Sequence, residues 1–167
     1  MDVFVRPGDS IWYYSQTFKL HLPLIVDSNP NLNAQGLLPQ QKIKIPGYVT
    51  NQYTIQHGDS IWEIAQRINM HMDAILLLNP TLNPNQLQIG QKIVLPIRVT
   101  WRVVNGKQDY DYSTMINDIS ALQMIYPFLL NESIGNSVLG KEIPGLFIGN
   151  GLSLIHISEP TRRRGIS

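Results

Sequence analysis

The chain contains an ungapped internal repeat with an offset of fifty residues, and no other feature limits the fold as strongly. The pentapeptide Gly-Asp-Ser-Ile-Trp at residues 8–12 stands again at residues 58–62. The offset holds to the end of each copy, where Gln-Lys-Ile at 41–43 recurs at 91–93. A repeat of this period is the signature of a duplicated folding unit, so the sequence predicts two small domains of one fold.

Composition excludes several classes of protein. Units of about 45 residues lie near the lower size limit for folding without disulfides or metals, and the absence of cysteine excludes a disulfide framework and a thiolate zinc site. A net charge of +1 gives no strong field toward nucleic acid or an anionic membrane, so we expect neither partner. We find no apolar run that could span a membrane and no secretory signal at the start, and we expect a monomer.

The second copy predicts the order strand, helix, helix, strand. Residues 53–55 form a short β-rich stretch, and Ser60 with Glu63 three residues later fits a capping box at a helix start. Asp73 is placed to cap a second helix, which Asn79-Pro80 ends because the residue before proline is pushed out of helical geometry. Residues 92–95 form the closing strand, which we expect to pair antiparallel with the first, with both helices on one face.

The first copy repeats this pattern with different local residues. Tyr13 replaces the glutamate of the capping box, and Pro23 stands at the first position of the second helix, which proline tolerates. Residues 47–52 are a short linker, so we expect the copies to be neighbours with limited freedom. The predicted fold class is therefore α+β, with strand-helix-helix-strand units at 2–47 and 52–97. The apolar helical faces comprise Ile11, Tyr14 and Phe18, and Ile61, Ile64, Ala65 and Ile68.

Three motifs in each copy carry a family resemblance: the opening Gly-Asp-Ser-Ile-Trp, the Asn-Pro after the second helix, and the ending Gln-Lys-Ile-x-x-Pro. In this order and spacing they resemble LysM domains, over roughly residues 3–46 and 53–96. The resemblance implies binding of N-acetylglucosamine glycans, chiefly peptidoglycan and chitin, in a shallow groove between two loops. Carried over, the groove residues are Gly8, Asp9, Ser10, Ile11, Asn29, Pro30 and Leu32 in the first copy, and Gly58, Asp59, Ser60, Ile61, Asn79, Pro80 and Leu82 in the second.

A structural role competes with glycan contact at each of these positions. Glycines serve turns, Asp and Ser serve helix caps, and Asn-Pro stops a helix, so we expect backbone contacts to sugar more than side-chain contacts. Trp12 and Trp62 stand one position off the apolar helical face, so we expect partial exposure. Each offers a surface for stacking on a pyranose ring, but packing against the neighbouring loop is the favoured expectation. His21 and His71 belong to no metal-ligand spacing and are expected to be ordinary surface or packing residues.

Residues 99–150 depart from the repeat and predict an incomplete α/β segment, in which strands flank one helix. The elements are a strand at 99–104, a helix that starts at 111–113 and ends before Pro127, and strands at 128–130 and 143–148 joined by a turn at 137–141. Such a segment opens a larger fold without closing it.

This segment also carries a set of motifs: Tyr-Asp-Tyr at 110–112, Tyr126-Pro127, residues 133–137, Gly140-Lys141 and Ile143-Pro144. Together they resemble the start of the catalytic domain of zinc carboxypeptidases of the carboxypeptidase A type. Two LysM units ahead of such a domain are similar to bacterial γ-D-glutamyl-meso-diaminopimelate peptidases, which cut the stem peptide of peptidoglycan. The resemblance implies a full-length parent that holds zinc with a His-x-x-Glu pair and a distant His.

The chain itself does not supply a complete zinc site. His156 and Glu159 have the spacing of the zinc pair, but Pro160 and an arginine-rich end follow, and neither the third ligand nor the general base has a counterpart. Residues 152–162 resemble a translated sequencing adapter, so we expect 151–167 to be a non-native tail. A genuine zinc pair and an unusual native tail are the alternatives. We therefore predict no catalytic residue, no metal ligand and no cofactor here, with zinc expected for the full-length parent.

Three functions from different classes follow. The preferred one is a module that binds peptidoglycan or a chitin-type glycan and directs a truncated peptidase domain to the cell wall or spore envelope. The second is a metallopeptidase that cleaves the γ-D-glutamyl-diaminopimelate bond of the stem peptide. The third is a structural envelope protein whose repeats bind other proteins.

Overall fold

The computed structural model describes residues 1–32, 36–105 and 110–148, together with the backbone of 153–155. The chain divides into two compact units, Met1–Phe128 and a second that begins at Leu129. The elements in chain order are β1 (Asp2–Phe4), α1 (Ile11–Thr17), α2 (Leu22–Asp27), β2 (Lys42–Lys44), β3 (Tyr48–Thr54), α3 (Ile61–Arg67), α4 (Met72–Leu78), β4 (Lys92–Arg98), α5 (Tyr112–Ile125), β5 (Leu129–Asn136), β6 (Glu142–Ile148) and β7 (Ser153–Ile155).

Each copy of the repeat forms a two-stranded antiparallel sheet together with two helices. β1 pairs with β2, where Val3 lies opposite Ile43, and β3 pairs with β4. Val3 is buried between exposed Asp2 and Phe4, so the core lies on one face of the first sheet. The predicted order of elements and the antiparallel pairing are confirmed.

The helix starts follow from local hydrogen bonds. The predicted capping box opens α3, where Ser60 Oγ accepts from the Glu63 amide at 3.1 Å and the Glu63 carboxylate accepts from the Ser60 amide at 3.0 Å. The prediction that Asp73 caps α4 is wrong, because His71 is the N-cap and its Nδ1 accepts from the Asp73 amide at 3.2 Å. Asp73 instead lies in the first turn of α4, where a carboxylate favours the positive end of the helix.

The segment predicted as a linker is part of a strand. Residues 48–52 belong to β3, which pairs along its whole length with β4 as far as Arg98. Pro96 lies within β4 opposite Thr50. Proline is tolerated there because both strands of a two-stranded sheet are edges.

β4 ends opposite Tyr48, the first residue of its antiparallel partner β3. Gly47, with a φ of +73°, turns the chain just before β3, although its carbonyl still accepts from the Val99 amide at 2.9 Å. Because β3 does not extend further to pair with them, residues 99–104 do not form the strand predicted for them.

The first copy does not close its core alone. Its buried cluster takes in four residues from beyond Pro46, namely Tyr48, Met70, Ala74 and Leu77. The buried Tyr48 hydroxyl donates to the Phe18 carbonyl at 2.6 Å. The buried cluster of the second copy, by contrast, is built from that copy's own residues. The copies therefore share apolar surface within one compact unit.

Charged groups also join the copies. Arg6 Nη2 lies 2.7 Å from the Asp73 carboxylate and donates to the Tyr13 hydroxyl at 2.7 Å. Lys19 Nζ donates to the carbonyl and to the side-chain oxygen of Asn69, at 3.0 and 2.9 Å. The copies are thus neighbours, as predicted.

The residues after β4 form a helix in the first unit and a three-stranded sheet in the second. Asp111 caps α5 by accepting from the Thr114 amide at 2.7 Å. In the second unit β5 pairs antiparallel with β6, and β6 with β7. The predicted helix and the predicted hairpin with its turn at 137–141 are confirmed, and the hairpin strands are longer than expected.

Candidate functional site

Each copy opens with a tight turn ahead of its first helix, and a glycine makes the turn possible. The amide of each turn aspartate donates to the carbonyl three residues earlier at 3.2 Å. Gly8 and Gly58, just before these aspartates, have φ values of +86° and +84°, which residues with a side chain rarely adopt. Both glycines are exposed, and no atom lies within 4 Å of the place where a Cβ would stand. The turn backbone is therefore open to close approach by a ligand.

The aspartate side chains fix these turns from within. Asp59 accepts from the Tyr53 hydroxyl at 2.7 Å and from the Gln56 amide at 2.8 Å, and its side chain is only 6% exposed. The hydrogen bond from Tyr53, followed by that from Gln56, holds the pKa of Asp59 below its ordinary value. The carboxylate is thus ionised at neutral pH, and its oxygens are engaged by the fold.

Asp9 is held in the same way by a tyrosine from a different element. The Tyr14 hydroxyl in α1 donates to Asp9 at 2.6 Å, whereas Tyr53 lies in β3. At the offset of fifty, Tyr14 corresponds to Ile64 and Tyr53 to Val3, so tyrosine and an aliphatic residue have exchanged places between the copies. Burial alone would raise the pKa of Asp9, but hydrogen bonds led by that of Tyr14 lower it. Sequence reasoning missed this pairing, which a column-by-column comparison of the copies would have indicated.

The serine and isoleucine of each opening motif serve the fold. Ser10 Oγ accepts from the Tyr13 amide at 3.1 Å, and Ser60 forms the capping box. Ile61 is buried and Ile11 is half-buried against the core. Since these side chains have structural partners, the motif leaves its glycine backbone and its tryptophan at the surface.

An asparagine organises the loop after the second helix in each copy. Asn79 Nδ2 donates to the carbonyls of Ile75 and Val94 at 2.8 and 2.7 Å, and Asn79 Oδ1 accepts from the Val94 amide at 2.8 Å. Asn29 makes the same three bonds to the equivalent residues, at 2.7 to 2.8 Å. Three of the four hydrogen bonds that the amide group can make are thus used to tie the helix end to the closing strand.

Two open clefts include this second loop. One, of about 250 Å³, is lined by residues 29–32 and by polar side chains of β1 and β2. The other, of about 320 Å³, is lined by Asn79, Pro80 and Leu82 together with residues of the first copy. Among the described residues that line these two clefts, none belongs to the predicted first walls at 8–11 and 58–61, so the pairing of the two loops into one groove stays a prediction.

The repeat tryptophans are exposed on the first helix of each copy. Trp12 is 64% and Trp62 is 62% exposed. The expectation that they pack against a neighbouring loop is wrong, because packing would have covered most of each indole. The exposed indoles are available for stacking on a sugar ring.

The described residues do not fit a metal site. His21 and His71 are exposed, as predicted for surface histidines. Within the described ranges, no group of three or more His, Cys, Asp or Glu side chains is placed to hold a metal ion, so no catalytic step is assigned to them. The predicted tail motif, His156 with Glu159, lies outside the described residues. We also find no helix in the described part of the chain that is long and apolar enough to cross a membrane.

Comparison with known proteins identifies relatives of the repeats and of the chain as a whole. The LysM domain family matches residues 4–46 and 53–96. The γ-D-glutamyl-L-diamino acid endopeptidase 1 of Lysinibacillus sphaericus is 69% identical over 156 residues, which are 93% of this chain and 39% of the relative. The chain therefore spans well under half the length of that curated relative.

Solved structures with similarity include a LysM domain and two spore enzymes. The LysM domain of a Volvox carteri chitinase is 51% identical over 27% of this chain and 92% of its own, with a TM-score of 0.26. The spore cortex-lytic enzyme SleL of Bacillus megaterium is 25% identical over 71% of this chain and 30% of its own, with a TM-score of 0.29. For SleL of Bacillus cereus the identity is 26%, the coverages are 59% and 23%, and the TM-score is 0.27.

Proposed function

The chain belongs to the LysM domain family, and on that premise we propose that its two repeats bind an N-acetylglucosamine glycan such as peptidoglycan or chitin. The observation that carries this proposal is the pair of exposed turns at Gly8 and Gly58, where positive φ and an open Cβ position leave bare backbone at the surface. An acetamido group offers a donor and an acceptor to such backbone, and its methyl group suits a small apolar depression.

The side chains around each turn support binding by holding the backbone rigid. Asp9 and Asp59 pin the turns, and Asn29 and Asn79 pin the loops after the second helices to the closing strands. A loop already fixed in its bound conformation loses less entropy when it meets a ligand, and this favours affinity for a shallow site. We therefore assign Asp and Asn side chains to preorganisation, and contact with sugar to the backbone and to the exposed indoles.

Two sites within one compact unit favour a polymeric ligand. A single shallow groove is expected to bind weakly, and a second groove held at a fixed position raises the effective concentration for the next contact on the same polymer. Peptidoglycan and chitin both repeat the acetamido sugar along a chain. We propose a monomer whose two grooves hold it on the cell wall, and we propose that localisation.

For a longer parent protein we propose a cell-wall peptidase that its LysM repeats hold on the substrate polymer. Support comes from the 69% sequence identity to an endopeptidase of Lysinibacillus sphaericus. The resemblance of residues 99–150 to the start of a zinc carboxypeptidase domain supports it as well. In this proposal the domains are 2–47, 52–97 and 99–150, the zinc ligands lie beyond the described residues, and 151–167 is not native. Tight, stoichiometric zinc together with cleavage of a γ-D-glutamyl-diaminopimelate stem peptide by this chain would instead favour the metallopeptidase.

The glycan proposal is tested by placing side chains on the two open turns. Asparagine accepts the left-handed backbone conformation better than other residues with a side chain, so Gly8→Asn with Gly58→Asn should keep the fold while filling the approach to the turns. Gly90 provides a matched control, because it has the same φ of +84° and the same open Cβ position but lies outside the predicted groove.

We expect the double variant to bind insoluble peptidoglycan at least about tenfold more weakly than the parent, and Gly90→Asn to bind normally in the same pull-down. Soluble chito-oligosaccharide should compete with the insoluble peptidoglycan for binding to the parent chain. Equal retention of the double variant would contradict a role for the turns. Binding to cell walls that chito-oligosaccharide does not reduce would favour the envelope protein that binds other proteins.

A further inference from the structure

We propose that the cleft between the two copies is an additional glycan subsite, which takes the sugar next to the one held in the groove of the second copy. This inference rests on the proposed function and extends it. The cleft joins Phe4 of β1 to the loop that follows α4, and its volume is about 320 Å³. That size lies within the range of sites for small ligands.

The lining has the chemistry of a sugar platform. Phe4 is 57% exposed and stands on the outer face of β1, so its ring is available to the apolar face of a pyranose. Leu76, Leu82 and Pro84 supply further apolar surface. Gln40 also lines the cleft, and its side chain carries an amide that can both donate and accept hydrogen bonds.

The charge in the cleft is compensated, which favours a neutral ligand. Arg6 is the one ionisable side chain among the described residues that line it. Its guanidinium is paired with Asp73 at 2.7 Å and with Asp9 at 3.2 Å. Hydrogen bonding to Asp73 raises the pKa of Arg6 above its ordinary value, so the guanidinium stays charged and keeps its carboxylate partners. An acetamido sugar fits such a surface better than the charged stem peptide does.

The cleft continues the predicted groove. Asn79, Pro80 and Leu82 belong both to the cleft and to the second wall predicted for the second copy. A glycan that leaves the groove over this wall therefore meets Phe4 next. The occupant that this continuity selects is a further residue of the same saccharide chain.

The two copies differ where the cleft forms. At the offset of fifty, Phe4 corresponds to Thr54 and the buried Leu77 corresponds to Asp27. The aromatic platform and the apolar helix that faces it are thus each present in one copy, and they meet because the copies share a core. Repetition alone does not account for an exposed phenylalanine at this position.

The test uses the full chain and a substitution taken from the protein itself. Phe4→Thr copies the residue of the second repeat and removes the aromatic ring, whereas Phe4→Tyr keeps it. Leu38→Thr is the matched control, because Leu38 is 63% exposed in the same copy and is not part of the cleft lining. Affinities for the chito-trisaccharide and the chito-hexasaccharide are measured by calorimetry, with thermal melts to verify folding.

We expect Phe4→Thr to weaken hexasaccharide binding about three- to tenfold, as loss of one aromatic stacking contact does, with trisaccharide affinity unchanged. Phe4→Tyr and Leu38→Thr should bind both ligands as the parent does. In amide NMR spectra the hexasaccharide should shift the signals of Phe4 and Gln40.

Three results separate the possibilities. If the parent binds neither saccharide, the proposed glycan function fails, and the subsite fails with it. If the parent binds the hexasaccharide and Phe4→Thr leaves that affinity unchanged, the subsite alone is overturned. Shifts at Phe4 that a free stem peptide causes and the hexasaccharide does not cause would also overturn it, because the cleft would then be a peptide site.

Discussion

Replacement of Asn79 by alanine should reduce stability far more than it reduces glycan affinity. The side chain donates to two carbonyls and accepts from one amide, all at 2.8 Å or less, and so joins the end of α4 to β4. Alanine removes all three bonds and leaves the Val94 amide and two carbonyls without this partner. Asn79→Asp keeps the shape and the acceptor but turns a carboxylate oxygen toward two carbonyl oxygens, so we expect it to be at least as harmful.

The size of the effect follows from the bonds that are lost. Each hydrogen bond contributes about 1 kcal/mol net to the free energy of unfolding, so three bonds amount to about 3 kcal/mol. For a compact unit of this size, 1 kcal/mol corresponds to roughly 4 °C in melting temperature, and the expected decrease is about 12 °C. Asn85 provides the control, because it is exposed in the same copy and its replacement by alanine should change stability by less than about 0.5 kcal/mol.

The assay pairs a thermal melt with a peptidoglycan pull-down at a temperature where parent and variant are both folded. A structural asparagine gives the lowered melting temperature together with near-normal retention on the polymer. A variant that melts like the parent but no longer binds would refute the reasoning, since it would show that the Asn79 side chain contacts sugar directly.

Two further predictions concern the shared core and the turn carboxylates. Leu77→Ala should lower the free energy of unfolding by about 3 kcal/mol, because Leu77 is buried in the cluster of the first copy. Amide hydrogen exchange should then become faster in β2 as well as in β4. Met72→Ala is the control on the same helix and should have little effect, because Met72 is 38% exposed. Faster exchange confined to β4 would mean that the copies fold independently. Asp9 and Asp59 have pKa values below the ordinary value of about 3.9, so their stabilisation is complete above that pH and is lost as the pH falls through the lower values of the folded state. As the pH is lowered from 6 to 2, the melting temperature should therefore fall less steeply for the double variant Asp9→Asn with Asp59→Asn than for the parent. An equal fall in both proteins would contradict the stabilising role of these two carboxylates.

The sequence was sufficient for the fold of each copy because local signals there agree with the hydrophobic pattern. Ser60 and Glu63 mark a helix start by chemistry that acts over three residues, and the apolar face of α3 follows directly. The strand pairs could be predicted because each copy has a β-rich stretch at either end. Boundaries were less reliable: residues 48–52 look like a linker by position, yet their backbone pairs with a β4 strand that extends beyond the closing Pro96.

The roles of the predicted site residues needed the structure, because their partners are distant in the chain. Asn79 reads as a helix stop, and its bonds to Val94, fifteen residues away, are visible only once α4 and β4 have been placed together. The turn aspartates look like caps, but their tyrosine partners come from α1 in one copy and from β3 in the other. Partial exposure of Trp12 follows from its position beside the apolar face of α1, but its extent depends on whether any other part of the chain covers that side of the helix.

The contacts between the copies are made by residues that differ from one copy to the other, so a search for repeats does not find them. Arg6 corresponds to Gln56 and its partner Asp73 to Pro23, so the ion pair forms between the start of the first copy and α4 of the second and has no counterpart in the reverse sense. If both copies had kept an arginine and an aspartate at these positions, a further unit could pair in the same way. Gln56 and Pro23 do not allow a second ion pair of this kind. The arrangement of the pair, including the cleft at Phe4, therefore rests on positions at which the two copies differ.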